Sequence, residues 1–229
     1  MNVSNRHLAR AKRRGRVLTL LDAAERAGVA PLPSARLHAL AYLADVLSPV
    51  WDLIPFDGKV YKSDGSPHYP DLQQEMDALV VLGLVEASGL SYEVRARGGA
   101  RVDGLYGLNF TSPHLEPLLC ALGARGVDNA IDPEDVRLHD YLVELAGALA
   151  TLPNDEIESA TGFDVTYRTG APSHNVVDFA EWVDDKKEAN PSWQAADRFE
   201  EFFPAESNVG SGEKLYLYAA YLGRAMNGR

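Results

Sequence analysis

The chain carries a single cysteine in 229 residues, Cys120. It can form no internal disulfide and belongs to no thiolate metal cluster. Its neighbours Leu118, Leu119, Ala121 and Leu122 predict a buried small hydrophobe rather than a reactive thiol. Long apolar runs are missing as well. The longest, Ala78 to Val85, is broken at Gly83 and falls well short of the roughly 20 residues that span a bilayer. The N-terminus is basic but has no apolar core of the kind a signal peptide needs. A reducing, cytoplasmic setting without membrane contact is the expectation.

Signatures of catalysis are equally scarce. No glycine-rich run leads to Lys-Ser or Lys-Thr at a helix start, and no Gly-x-Ser-x-Gly elbow occurs. The six histidines, at 7, 38, 68, 114, 139 and 174, never stand at metal-ligand spacing. His114 and His139 read as capping or packing residues. The nearest approach to a nuclease pattern is Pro70-Asp71 with Glu93-Val94-Arg95; it opens on a helix start and has arginine where lysine is required. Asp184-Asp185-Lys186-Lys187 reads as a charge-paired helix exterior. No catalytic residue, metal site or cofactor is nominated, and a non-enzyme is expected.

What is present is a divided charge. The whole chain sums to −11. Arg6, Arg10, Lys12, Arg13, Arg14 and Arg16 give residues 1–16 a net +6 with no acid, so the remainder carries −17. An acidic body repels nucleic acid at long range, so any such contact must be local. The basic head can supply it, can dock on an acidic partner, or can be a solvated terminus. From Asp132 to Glu206 there are 18 acids against five bases, which reads as a solvated acidic surface or a face for a basic partner.

The chain is organised around Ser66 to Phe110. Pro70 suits a first helical position and Asp71 the positive end of the helix dipole. Leu72, Met76, Leu79, Val80 and Leu82 fall on one side, with Gln73, Gln74, Glu75 and Asp77 mostly on the other. Gly83 is placed to stop the helix. Ser91 to Arg97 then alternates as a strand, Gly98-Gly99 forms a turn, and Arg101 to Phe110 returns with Val102, Tyr106, Leu108 and Phe110 apolar. Helix, stop and hairpin is how a winged helix-turn-helix presents its recognition helix and wing. Arg95, Arg97 and Arg101 cluster at the wing tip, where phosphate contacts would fall. Glu75 and Asp77 on the open helix face argue against reading a DNA groove and favour protein docking.

Around this centre, Val17 to Ala27 reads as a helix closed by Gly28, and Ser34 caps a helix over Ala35 to Leu47 that contains His38 and Tyr42. Val50 to Tyr61 is apolar and irregular, with a turn at Asp57-Gly58 and solvated Lys59 and Lys62. In the second half, Ser112 caps Pro113 to Leu122, Asp132 caps a helix from Pro133 to about Thr151, and Asn154 caps Asp155 to Ala160. Val165 to Arg168 has strand character. Val176 to Lys187 is amphipathic, Asn190-Pro191-Ser192-Trp193 starts another helix, and Leu215 to Met226 is a last apolar helix. A second winged helix in this half stays open. The expected class is α+β, mainly helical, as a basic N-terminal segment and short helix (1–33), a winged-helix domain (34–111) and an acidic, mainly helical domain (112–229).

Three segments carry a family resemblance: His38 to Leu43 (HALAYL), Ser66 to Leu72 (SPHYPDL) and Leu79 to Val85 (LVVLGLV). They resemble a winged-helix superfamily with a Leu/Tyr-rich helix, a Gly-Pro-Tyr-Ser-like lead-in to the next helix and a leucine-small-glycine-leucine exit. Within it the chain resembles the middle components of bacterial three-component ABC-ATPase (Lamassu-like) anti-phage conflict systems. Leu152-Pro153, Asp164 to Tyr167 and Leu215 to Leu222 share that likeness. Ser66 departs from it, standing where the lead-in usually has glycine. The resemblance implies an accessory subunit that bridges or regulates an SMC/Rad50-like ATPase and an effector, often a nuclease. The alternative is a winged-helix transcriptional regulator. In either, the candidate nucleic-acid or partner contacts are Arg10, Lys12, Arg13, Arg14, Arg16, Arg95, Arg97 and Arg101.

Overall fold

The computed structural model describes residues 3–56, 59–63, 66–94, 100–153, 156–169, 176–179, 190–204 and 207–228. It is a mixed α+β protein, mainly helical, with small antiparallel sheets. In chain order the elements begin with α1 (Val3–Arg26), β1 (Leu32–Pro33), α2 (Ser34–Leu47), β2 (Lys59–Ser63) and β3 (Ser66–His68). Next come α3 (Pro70–Val81), β4 (Val85–Val94), β5 (Ala100–Leu108), α4 (Leu115–Ala121) and α5 (Pro133–Leu149). The last are α6 (Ile157–Ala160), α7 (Val165–Thr169), β6 (Val176–Asp178), α8 (Pro191–Asp197) and α9 (Ser211–Asn227). Two compact units divide them: Met1–Leu37 with Pro70–Asp140, and His38–Tyr69 with Tyr141–Arg229. The divisions fall inside α2, before α3, and inside α5.

The first unit is built on α1, α3 and a sheet of order β1-β5-β4. Its core is Val17, Leu18 and Leu21 of α1, Leu72, Met76 and Leu79 of α3, and Tyr106 and Leu108 of β5. As the sequence predicts, α3 starts at Pro70 and stops at Gly83, whose φ of 69° is a left-handed conformation open to glycine. Leu84 N–H reaches back to the Leu79 carbonyl and Gly83 N–H to that of Val80, both at 3.0 Å, the paired bonds of a Schellman stop. The hairpin then begins earlier than alternation alone suggested. β4 starts at Val85 and pairs with β5 from Val85↔Leu108 to Val94↔Ala100, with a register shift between Ser88 and Ser91. The Gly98-Gly99 turn lies outside the described residues. Phe110 lies beyond β5 and is exposed.

The basic head is not a loose terminus. The helix expected from Val17 extends back through it as the 24-residue α1. Asp22 of α1, buried, accepts from Arg26 Nε at 2.8 Å and lies 2.8 Å from His139 Nε2 and 3.3 Å from Arg125 Nη1. Burial alone would raise its pKa, but the His139 and Arg26 hydrogen bonds and the arginine charges outweigh it and hold the carboxyl at about 2. Ser112 is not the cap: α4 starts two residues later than expected, at Leu115 with His114 in the cap position, and Asn109 shapes this corner by accepting from the Thr111 N–H at 3.1 Å. Cys120 is half-buried, not buried, with Sγ 4.0 Å from Glu116 Oε1. Asp132 does cap α5, accepting from the Glu134 N–H at 2.9 Å.

The second unit centres on one buried carboxylate. Asp164, fully buried, accepts from the Tyr42, Tyr218 and Ser192 hydroxyls at 2.6 Å each and from the Tyr167 N–H at 2.8 Å. Both oxygens are thereby saturated, which is how a carboxylate survives in an interior. Burial, then the Asp164 charge, pushes the Tyr42 and Tyr218 phenols well above their ordinary values. The Tyr167 bond is also an N-cap, so residues 165–169 form α7 and not the strand that Val-Thr-Tyr suggested. The amphipathic stretch from Val176 opens as a strand: Val176–Asp178 is β6, paired with β2 in a sheet of order β3-β2-β6. Residues 180–189 lie outside the described residues. Lys59 pairs with Asp178 at 2.9 Å, and Lys62 donates to the Tyr167 carbonyl, so neither is merely solvated. Asn190 caps α8 by accepting from Trp193 N–H at 3.0 Å, as its sequence predicts.

Candidate functional site

The structure sorts the sequence-nominated cations into three groups. Arg10 and Arg14 stand one helical turn apart on α1, so their side chains share a face. Each donates Nε to one oxygen of Glu75, at 2.7 Å. Glu75 is therefore not on an open face of α3; it is 2% exposed and held by two cations. Burial would raise its pKa, but the arginine hydrogen bonds and charges hold it below the usual carboxylate value. Arg13 reaches Asp71 at 3.2 Å. Arg16 is buried and cannot meet a phosphate. Lys12 is exposed. Arg95 and Arg97 lie outside the described residues. Arg101 is described only in its backbone, opposite Glu93 in the hairpin ladder.

Once Glu75 turns inward, α3 presents a different outer ridge. Asp71, Gln74, Asp77 and Val81 are exposed, a spacing of three or four residues that sets them on one stripe. Val81 is 87% exposed and the next residue, Leu82, 54%. The ridge thus carries two acids and ends in two bare hydrophobes. Leu82 was expected to pack with Leu79; the Schellman stop turns the chain at this point and leaves it outside. On the adjoining hairpin, Leu90 and Tyr92 of β4 are also exposed. Asn109 ties the returning strand to the helix stop by donating Nδ2 to the Gly83 carbonyl at 2.9 Å. Acidic ridge, helix stop and hairpin are therefore held in one arrangement.

Among the described residues, no group of three His, Cys, Asp or Glu side chains could hold a metal ion. No described helix is long and apolar enough to cross a membrane. Sequence reasoning missed the Glu75 clamp, the Asp22 cluster and the Asp164 centre. Arg10 and Arg14 at i and i+4 were the available signal for the first, and Asp22 and Arg26 at i and i+4 marked part of the second; the hydroxyl donors of the third come from distant positions. No family model, curated protein or solved structure matches the chain.

Proposed function

We propose that this chain is a winged-helix accessory subunit that works by docking other proteins. The observation that carries the reading is the outer ridge of α3. In a winged helix this is the face that would enter a DNA groove, yet here it displays Asp71 and Asp77 and ends in Val81 and Leu82. Phosphates repel such a stripe, whereas exposed apolar residues beside charges suit a protein interface. The winged-helix reading itself draws support from the order of elements: α3 stops at Gly83 and runs straight into β4 and β5, with β1 closing the other edge of β5. By the family resemblance, the partners are an SMC/Rad50-like ATPase and an effector subunit such as a nuclease. The chain would then hold the effector until the ATPase engages suitable DNA.

Purifying the tagged chain from its native locus, with mass spectrometry of what accompanies it, tests this. The reading expects a stoichiometric SMC-like ATPase, lost when Asp71 and Asp77 are changed to lysine. A chain that emerges alone overturns it. The rival, a transcriptional regulator, keeps two supports: Lys12 is exposed, and in the sequence Arg95, Arg97 and Arg101 cluster around Gly98-Gly99. It requires salt-sensitive, sequence-selective duplex binding that disappears when Arg95, Arg97 and Arg101 become glutamate.

A further inference from the structure

Within the first unit lies a groove of about 370 Å³. Its walls are Gly15 and Leu18 from α1, Leu79 of α3 with Leu82 just past its end, and Leu118 of α4 with Leu122 just past its end. Gly15 keeps the α1 wall low, since a Cβ there would come 2.9 Å from Leu122 Cδ2. The apolar surface continues past the mouth, where Leu82, Leu118 and Ile131 are exposed, Ile131 at 84%.

The charged part of the lining has one sign. Arg10 and Arg14 contribute to it, beside His7, and no acid does among the described residues. Arg10 and Arg14 each give only Nε to Glu75, so their Nη nitrogens have no hydrogen bond among the described residues. Two guanidiniums against one carboxylate leave a positive charge in excess, beside an apolar trough.

We infer that this groove is the seat of an amphipathic helix from a partner subunit, one that carries carboxylates along the border of its apolar stripe. The inference rests on the accessory-subunit reading and adds the partner's chemistry. Charge complementarity selects the acids: a carboxylate at the trough's end would take the idle guanidinium N–H groups in charge-assisted bonds. The exposed margin selects a helix. Anchors at i, i+3, i+4 and i+7 fill the trough and also cover Leu118 and Ile131, which a small molecule inside the trough would leave wet.

Fluorescence anisotropy with synthetic helical peptides of about 16 residues, roughly the span of a docked helix, tests it. One series has leucines at the anchor positions flanked by glutamates, and a matched series has lysines instead. The glutamate series should bind full-length protein, with the lysine series roughly tenfold weaker. Ile131→Glu should weaken the glutamate series by roughly tenfold, and its high exposure means that the variant folds, as a thermal melt will show. Leu118→Glu is the second variant. No binding by either series, equal binding by both, or indifference to Ile131→Glu overturns the inference. Two other results also overturn it: saturable uptake of dodecanoate without peptide binding assigns the trough to a small amphiphile, and a dimer dissolved by Ile131→Glu assigns it to a second copy. An ATPase that still co-purifies with Ile131→Glu would sink this inference and leave the accessory reading standing. Acidic-peptide binding with no co-purifying ATPase would do the reverse.

Discussion

Glu75→Gln is the perturbation that most sharply probes how the basic head and α3 are joined. Glu75 accepts two charge-assisted bonds at 2.7 Å, from Arg10 and Arg14. Bonds to charged groups contribute roughly 1.5–3 kcal/mol each. The arginine side chains are 47% and 34% exposed, so water compensates part of their loss and the sum must be discounted. Glutamine keeps one acceptor oxygen and turns an N–H₂ toward the other guanidinium. A net cost of about 2 kcal/mol follows, a fall of roughly 4–8 °C in Tm for a chain of this length. The pH dependence carries its own sign. Because the folded-state pKa of Glu75 lies below its ordinary value, its stabilisation is present above that ordinary value and is lost as pH falls through the lowered one. The wild-type advantage over Glu75→Gln should therefore be full at pH 7 and shrink in acid. Thermal melts monitored by circular dichroism at several pH values would show this. A Tm change within about 1 °C at pH 7, where a shift several times larger is expected, would refute the reasoning and return the head to solvent.

Three further substitutions have definite expectations. Asp22→Asn removes a carboxyl held at about 2 from an ordinary 3.8; the variant should lose about 2 kcal/mol in urea unfolding at neutral pH. That gap is full above the ordinary value and closes as the pH falls toward the depressed one. Gly123→Ala places a residue at φ 80° with its Cβ 2.5 Å from Val136 N, so the backbone must move and about 2–4 kcal/mol should be lost; an unchanged melt would contradict the geometry. Asp164→Asn turns an N–H₂ toward hydroxyl donors in a sealed site and should cost about 3–5 kcal/mol, whereas Tyr218→Phe, which leaves one acceptor less occupied, should cost about 1–2 kcal/mol. Equal losses from the two would argue against Asp164 as the hub.

Much of the first unit's helix–hairpin arrangement was legible because its signals are local. Pro70, Gly83 and the alternation after Ser91 act within a few residues of themselves, and so do the caps at Asp132 and Asn190. Glu75 was misread because a helical wheel ranks residues by polarity. What buried this acid was a pair of cations 61 and 65 residues away. Separation along the chain also hid the Asp164 centre, whose donors Tyr42, Ser192 and Tyr218 lie 122, 28 and 54 residues away. Residues 165–168 carry β-favouring side chains, but the Asp164 cap and the neighbouring Thr161–Phe163 turn wind them into α7; tertiary context overrides so short a propensity. Val176-Val177 suits either period, and pairing with β2 decided for a strand. The acidic ridge and the groove both follow from the inward turn of Glu75 and the exit at Leu82, so no reading of α3 alone could have drawn them.

On the function proposed above, α3 and its surroundings receive protein and not a DNA groove. Duplex binding by the purified chain, followed by fluorescence anisotropy across a salt series on several unrelated sequences, tests it most directly. Weak binding without sequence preference is expected, in the non-specific range of roughly 10⁻⁴–10⁻⁶ M or weaker at physiological salt, with no loss when Asp71 and Asp77 become asparagine. Binding near 10⁻⁸ M with a preferred sequence, abolished by reversing the three wing arginines, would contradict it.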